Sequence, residues 1–313
     1  MKLLGAFLKL VRYPNLVYIF LTQYLLQYCV IIPVFHTYNV SPTLTDGWFF
    51  LLSLSTVLIA AAGYIINDYF DINIDQVNKP ERIIIDRIIS RRWAILWHTT
   101  FNVIGVALGF LIGWKAGNPL LGITQLFCSG LLWFYSTSYK RQLLIGNISI
   151  SLLTALTVLV VGFFEPQLYS KINVSNAPAV YPLLRIILLY ALFAFLISMI
   201  REIVKDLEDI KGDAWLRCRT MPIVYGVNAS KDISYIISWI LIGLIVFVQV
   251  IIFPHRWYIT ILYLLVLVQL PLLAVNRKLS KAVTPKDFHY VSNLIKLIML
   301  TGIISMVFFI FYF

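Results

Sequence analysis

Two aspartate triads with the same spacing stand out in a chain that otherwise avoids charge. Asp68, Asp71 and Asp75 lie in the run Asn67-Asp-Tyr-Phe-Asp-Ile-Asn-Ile-Asp75. Asp206, Asp209 and Asp213 lie in Lys205-Asp-Leu-Glu-Asp-Ile-Lys-Gly-Asp213. Both follow the pattern i, i+3, i+7, which predicts three carboxylates on one face of a helix. Ten of the fourteen acidic residues fall in the windows 68–86 and 202–213. Like charges stacked on one face are unfavourable unless a cation neutralises them, so the pattern points to a divalent metal with a polyanionic ligand.

The elements that must position these triads are membrane helices. Of 313 residues, 60% are hydrophobic and only 12% charged, against about 25% charged in an ordinary soluble domain. Mean hydropathy is +0.87. A soluble core of this size does not hide so much apolar surface, so the chain is expected to lie in a lipid bilayer as one all-α domain over residues 1–313. Apolar runs near the length of a crossing fall at 14–35, 47–66, 94–114, 119–137, 145–164, 183–203, 233–254, 257–275 and 290–312. The first reads as a retained span, because no small-residue cleavage site follows it. The segment 166–182 reads as the longest external loop, with a glycosylation sequon at Asn173-Val-Ser175.

The net charge of +11 does not indicate a nucleic-acid partner, because the basic residues sit in short loops between apolar runs. With the N-terminus cytoplasmic and the C-terminus outside, 20 Lys and Arg fall on inner segments and four on outer ones. That bias predicts this orientation, in a cell inner or cytoplasmic membrane, with both triads on the cytoplasmic side. Asp68 and Asp206 are 138 residues apart, after the second and sixth spans. Two four-helix pseudo-repeats plus a ninth helix would make them equivalent positions facing one central cavity. Cys29, Cys128 and Cys218 are odd in number and scattered, which argues against a disulfide framework, and the four histidines are dispersed.

Magnesium is commonly held by one or two carboxylates together with substrate phosphates. Two opposed carboxylate faces suit Mg²⁺ around a diphosphate, with the metal neutralising the charge that develops as the diphosphate leaves. Lys79, Arg82, Lys140, Arg141, Lys205 and Arg219 are the cations placed to reach phosphate oxygens. A hydrocarbon tail dissolves among lipid-embedded helices, so an isoprenyl diphosphate matches both the charged mouth and the apolar body. Ionising an allylic diphosphate leaves a carbocation, which aromatic faces stabilise and water destroys. Tyr64, Tyr69, Phe70, Tyr135 and Tyr139 are the candidate aromatics.

These motifs resemble those of the UbiA superfamily of intramembrane prenyltransferases. Asn67-Asp68-x-x-Asp71-x-x-x-Asp75 is similar to the family's first Asp-rich signature, and Asp209-x-x-x-Asp213, preceded by Asp206, to its second. Arg12-Tyr-Pro-Asn15 resembles its N-terminal Arg/Asn element, and Asn78-Lys79-Pro80-Glu81-Arg82 its basic loop. Tyr135 through Lys140-Arg141, followed by Gly146-Asn147, resembles its Tyr/Lys element. Arg219-Thr-Met-Pro222 resembles a Lys-Thr-Leu-Pro run with Arg in place of Lys, a change of shape at constant charge. The resemblance implies a nine-helix bundle around a central cavity and Mg²⁺-dependent transfer of a polyprenyl group from its diphosphate to a hydrophobic acceptor. It further implies that Asn67, Asp71 and Asp75 bind Mg²⁺-diphosphate from one side and Asp209 and Asp213 from the other. Asp68 and Asp206 would support the metal, or orient or deprotonate the acceptor. Lys140 and Arg82 would contact phosphate, with Lys79, Tyr135, Tyr139 and Arg219 also on the substrate, and Asn15 would line the cavity.

The run from Arg201 to Asp213 most resembles the branch that transfers geranylgeranyl to geranylgeranylglyceryl phosphate. Aromatic prenylation of a hydroxybenzoate or naphthoate is the rival acceptor class. An ion-coupled transporter is the rival outside enzymes, since intramembrane carboxylates and pseudo-repeats also serve carriers. Against a transporter, the triads begin at helix ends rather than at mid-membrane. Lys296, in the last span, either snorkels or faces the cavity, and the oligomeric state is left open.

Overall fold

The computed structural model describes residues 2–78, 80–169 and 177–313, without the side chains of Lys2 and Arg82. The Lys79 assignment, the Arg82 side chain and the sequon at Asn173 therefore lie outside the described residues. Among those described there are only helices and turns, apart from one isolated bridge between Ile85 and Ile89.

A short helix, α1 (Lys2–Leu10), precedes the first span, α2 (Tyr13–Thr37). The second span, α3 (Asp46–Phe70), is followed by the short α4 (Ile72–Asn78). Then come α5 (Arg91–Lys115), α6 (Pro119–Thr137), α7 (Ile145–Phe163) and α8 (Ala177–Trp215). The last three are α9 (Gly226–His255), α10 (Tyr258–Lys281) and α11 (Pro285–Phe311). Among the described residues, nine helices are long and apolar enough to cross a membrane. This is an integral membrane protein, as its composition requires: only helices satisfy their own backbone groups in lipid without a closed barrel.

Two spans hold one turn of π-helix, at Leu26–Ile31 in α2 and Leu265–Gln269 in α10. A proline follows each, Pro33 and Pro271. Proline has no N–H to return to the carbonyl four residues earlier. At Pro271 the stranded carbonyl belongs to Leu267, and the Thr301 hydroxyl of α11 donates to it at 2.7 Å. Where α3 and α5 cross, a Cβ on Gly105 would lie 2.7 Å from Ile59 and 3.1 Å from the Ser55 carbonyl. Glycine there lets the two backbones approach, and the Ser55 hydroxyl donates to the Gly105 carbonyl at 2.7 Å.

The helix α8 organises the second half, packing against α7, α9, α11 and α4. At 39 residues it is roughly 58 Å long, much more than the hydrocarbon thickness of about 30 Å. Two sequence expectations change here. The loop expected over 166–182 is shorter, because α8 already begins at Ala177. The sixth span does not stop near 203, because the same helix runs on through Asp213. Its apolar stretch ends there while the helical hydrogen bonding does not, so hydropathy alone places the boundary too early.

Candidate functional site

The two triads are built differently. Asp206, Asp209 and Asp213 share the unbroken α8, as their spacing predicts. Asp68, Asp71 and Asp75 do not share one helix: α3 ends at Phe70, Asp71 stands at the joint with φ −89° and ψ 0°, and Asp75 belongs to α4. Hydrogen bonds from the Asp71 N–H to the Asn67 carbonyl (2.9 Å) and from the Asp75 N–H to the Asp71 carbonyl (2.8 Å) carry the helical spacing across the bend. The three carboxylates consequently stay on one side although the axis turns.

The bend brings α4 against α8, and Asn78 fastens them. Its Nδ2 donates to the Asp209 carbonyl at 3.1 Å, and its Oδ1 accepts from the Gly212 N–H at 2.8 Å. A Cβ at Gly212 would meet the Asn78 amide at 2.4 Å, so only glycine admits this clasp. The two triads thus face each other at one mouth of a single cavity of about 1810 Å³, which all six aspartates line.

Cations and amides already surround the first triad. Arg12 has left-handed backbone geometry (φ 51°) between α1 and α2, and its Nη2 donates to Asp68 Oδ1 at 2.7 Å. The same guanidinium lies 5.1 Å from the centre of the Tyr64 ring. Lys140 forms an ion pair with Asp71, and Asn67 Nδ2 donates to the other Asp71 oxygen at 2.7 Å. Lys140 sits in a 3-10 turn, Tyr139–Arg141, pressed onto α7 at Gly146, where a Cβ would lie 2.9 Å from the Lys140 Cα. On the second triad, Asn147 Nδ2 donates to Asp206 Oδ2 at 2.8 Å. Burial first, then the charges of Asp71 and Asp68, push the Asp75 carboxyl up to about 7.

Among the described residues, no three acidic, His or Cys side chains close into a metal cage. The site does, however, suit a hard cation that arrives with further ligands of its own. Its donors are carboxylate and carboxamide oxygens, and Asn67 Oδ1 is a buried acceptor with no hydrogen-bond partner beside Asp68 and Asp71. An all-oxygen, incomplete donor set of this kind matches Mg²⁺, which completes its shell with water and phosphate.

Asn15, Asn67, Tyr64, Tyr135 and Lys140 also line the cavity. Tyr139 and Arg219 do not. The Tyr139 ring stacks on Phe134 at 5.8 Å, and Arg219 joins the site through its backbone, its N–H donating to the Arg141 carbonyl at 2.8 Å. Tyr69 and Phe70 pack edge to face on each other, with Phe70 against Trp133, away from the cavity. Sequence reasoning missed Arg12, Asn78 and Glu202 as site residues. Arg12 stands in the Arg/Asn element without a role assigned to it, and Asn78 reads as part of a basic loop. Glu202 lies one turn before Asp206, in the same acidic window, and that position was the available signal.

The model of the UbiA prenyltransferase family matches residues 30–295 of this chain. A digeranylgeranylglyceryl phosphate synthase of Methanosphaera stadtmanae is 30% identical over 203 residues, 65% of this chain and 64% of that protein. One of Methanococcoides burtonii is 38% identical over 181 residues, 57% of this chain and 56% of that protein. The chain thus matches less than two thirds of the length of these relatives. Solved structures share the fold over nearly the whole chain. One, described as a digeranylgeranylglyceryl phosphate synthase, has a TM-score of 0.61 at 23% identity, covering 98% of this chain and 99% of the other. A UbiA homolog from Archaeoglobus fulgidus bound to DMAPP and Mg²⁺ has a TM-score of 0.59 at 16% identity, covering 96% and 98%.

Proposed function

The chain belongs to the UbiA prenyltransferase family, and from that premise we propose that it is a Mg²⁺-dependent intramembrane prenyltransferase. On this reading it moves geranylgeranyl from its diphosphate to the hydroxyl of geranylgeranylglyceryl phosphate. The observation that carries the reading is the facing of two carboxylate groups across one mouth of a largely apolar cavity. The names of the relatives support the choice of prenyl donor and acceptor.

Asn67, Asp71 and Asp75 would hold one side of the metal-diphosphate and Asp209 and Asp213 the other. Bound Mg²⁺ would supply neutralisation of the charge on the departing diphosphate. Lys140, which pairs with Asp71, would hold a phosphate oxygen. The bond between prenyl C1 and the diphosphate oxygen breaks, with the electron pair leaving on the diphosphate. The acceptor hydroxyl oxygen then forms the new ether bond to C1, and its proton passes to a carboxylate at the mouth. Tyr64 and Tyr135 face the developing cation and help exclude water. Residues 1–313 act as one domain. The N-terminus and the mouth lie on the cytoplasmic side, a placement supported by the 20-to-four distribution of Lys and Arg.

The test offers labelled geranylgeranyl diphosphate to the purified protein with Mg²⁺ or with chelator. Geranylgeranylglyceryl phosphate and aromatic acids are supplied in parallel, and product mass is read. A diether phosphate formed only with metal is the expected result. A prenylated aromatic acid in its place would reassign the acceptor, and no transfer at all would overturn the reading.

A further inference from the structure

A second group of cations lines the same cavity, on the turns of α8 that precede Asp206 and on the facing wall. Lys296 stands inside α11, which packs on α8 and α2. Its Nζ donates to Asn15 Oδ1 at 2.7 Å and lies 5.1 Å from the centre of the Tyr18 ring. Both partners are neutral, and among the described residues Lys296 makes no ion pair. Across the cavity wall, Arg201 and Lys205 share one carboxylate: Glu202 accepts from Arg201 Nη1 at 3.2 Å and from Lys205 Nζ at 3.0 Å. The Arg201 Nε is buried without a hydrogen-bond partner. Arg201 and Arg12 line the same cavity as Lys296.

Among the described residues, three cations therefore face the cavity here, with Glu202 shared by two of them and Asp206 beside Lys205. An uncompensated ammonium within a membrane span is costly and marks a binding function by default. An orphaned guanidinium N–H beside it adds a directed donor. What completes such a wall is an anion with several acceptor oxygens.

We propose that Lys296, Arg201 and Asn15 form the seat of the acceptor's phosphate monoester, distinct from the diphosphate grip at the mouth. The inference rests on the acceptor being a glyceryl phosphate lipid, as argued above. Arg201 and Asp209 are eight residues apart on α8, about 12 Å along its axis. In a glyceryl phosphate the free hydroxyl lies a few bonds from the phosphate. With the phosphate seated at Lys296, the hydroxyl points toward the prenyl carbon whose diphosphate is held at the mouth. The seat makes the phosphate a specificity element: a phosphate-free alcohol or an aromatic acid of different length does not span the two stations.

The experiment compares purified full-length wild type with Lys296→Gln and Lys296→Arg. Acceptor KM, prenyl diphosphate KM and Mg²⁺-dependent prenyl diphosphate binding are measured, with the phosphate lipid and its dephosphorylated alcohol as acceptors. The expected result for Lys296→Gln is an acceptor KM raised on the order of tenfold or more. Its preference for the phosphate lipid over the alcohol falls equally, prenyl diphosphate KM and binding stay at the wild-type value, and Lys296→Arg recovers most of the loss. Inorganic phosphate competes with the lipid acceptor in wild type. Retained prenyl diphosphate binding shows that the variant is folded. If Lys296→Gln disrupts folding, Lys296→Arg and the phosphate competition still decide: competition against the prenyl diphosphate alone overturns the seat. An unchanged acceptor KM in folded Lys296→Gln, or a raised prenyl diphosphate KM instead, also overturns it. Wild type that transfers to no glyceryl phosphate acceptor overturns the functional reading beneath it, a separate outcome.

Discussion

The first aspartate group reaches the cavity across a bend between two helices, and the second stands on one continuous helix. Their spacing in the sequence is identical, but their surroundings are not. On the first side, protein cations occupy the carboxylates: Arg12 on Asp68 and Lys140 on Asp71. On the second, Asp206 is held by the neutral amide of Asn147. On the proposed reading, a metal-diphosphate entering between them would displace or share the positive charge already at Asp68 and Asp71. Identical spacing fixes where carboxylates point, whereas the neighbouring elements fix how much charge they still offer.

The largest effect should come from removing a carboxylate on either side. Asp71→Ala and Asp209→Ala are each expected to lower diphosphate release by about 10²–10³-fold, with membrane insertion intact. Full activity in either purified variant would sink the two-sided grip. Next, pH should act through the first side. The Asp75 carboxyl, pushed up to about 7, is protonated below that value, and Mg²⁺ must displace the proton. Metal affinity is then expected to weaken up to about tenfold per unit as pH falls below 7, and Asp75→Asn should make that dependence shallower. Mg²⁺ titrations at acidic and alkaline pH read this directly, and an unchanged slope in Asp75→Asn would assign it elsewhere.

Lys140→Met tests the cation that occupies the first side. With its competitor gone, the first side should need less Mg²⁺ for half-maximal activity, while the KM for prenyl diphosphate rises on the order of tenfold. If both constants move the same way, Lys140 does not alternate between carboxylate and phosphate. The smallest effect concerns the clasp that holds the sides together. Gly212→Ala drives a methyl group into Asn78 and should cost about 1–3 kcal/mol. Thermal unfolding in detergent measures it, and pairing with Asn78→Ala should recover part of the loss, because the collision is then removed.

The nine spans were legible because apolar runs of crossing length have no other stable home. The second triad was legible because α8 keeps its period through Asp213. The first was half legible: its periodicity survives, but the bend at Asp71 comes from packing α4 on α8, and no local residue announces it. Lys140 reaches Asp71 from a distant turn because Gly146 lets that turn settle on α7, a contact only the tertiary structure creates. Tyr139 and Arg219 were misplaced for the opposite reason. Their neighbours in sequence, Lys140 and Cys218, line the cavity, and adjacency along a chain does not make two side chains point the same way. Lys296 resisted assignment because its meaning depends on Asn15 and Arg201, which are remote in sequence.

The unbroken α8 has one more consequence. Everything mounted on it, from Arg201 to Asp213, is spaced by peptide geometry, and side chains can be exchanged without altering the interval. Evolution can thus retune what is gripped at each station while the rod keeps the measure. An inserted or deleted residue between Lys205 and Asp206 would swing every later carboxylate by about 100°, leaving a sound helix whose calibration is lost.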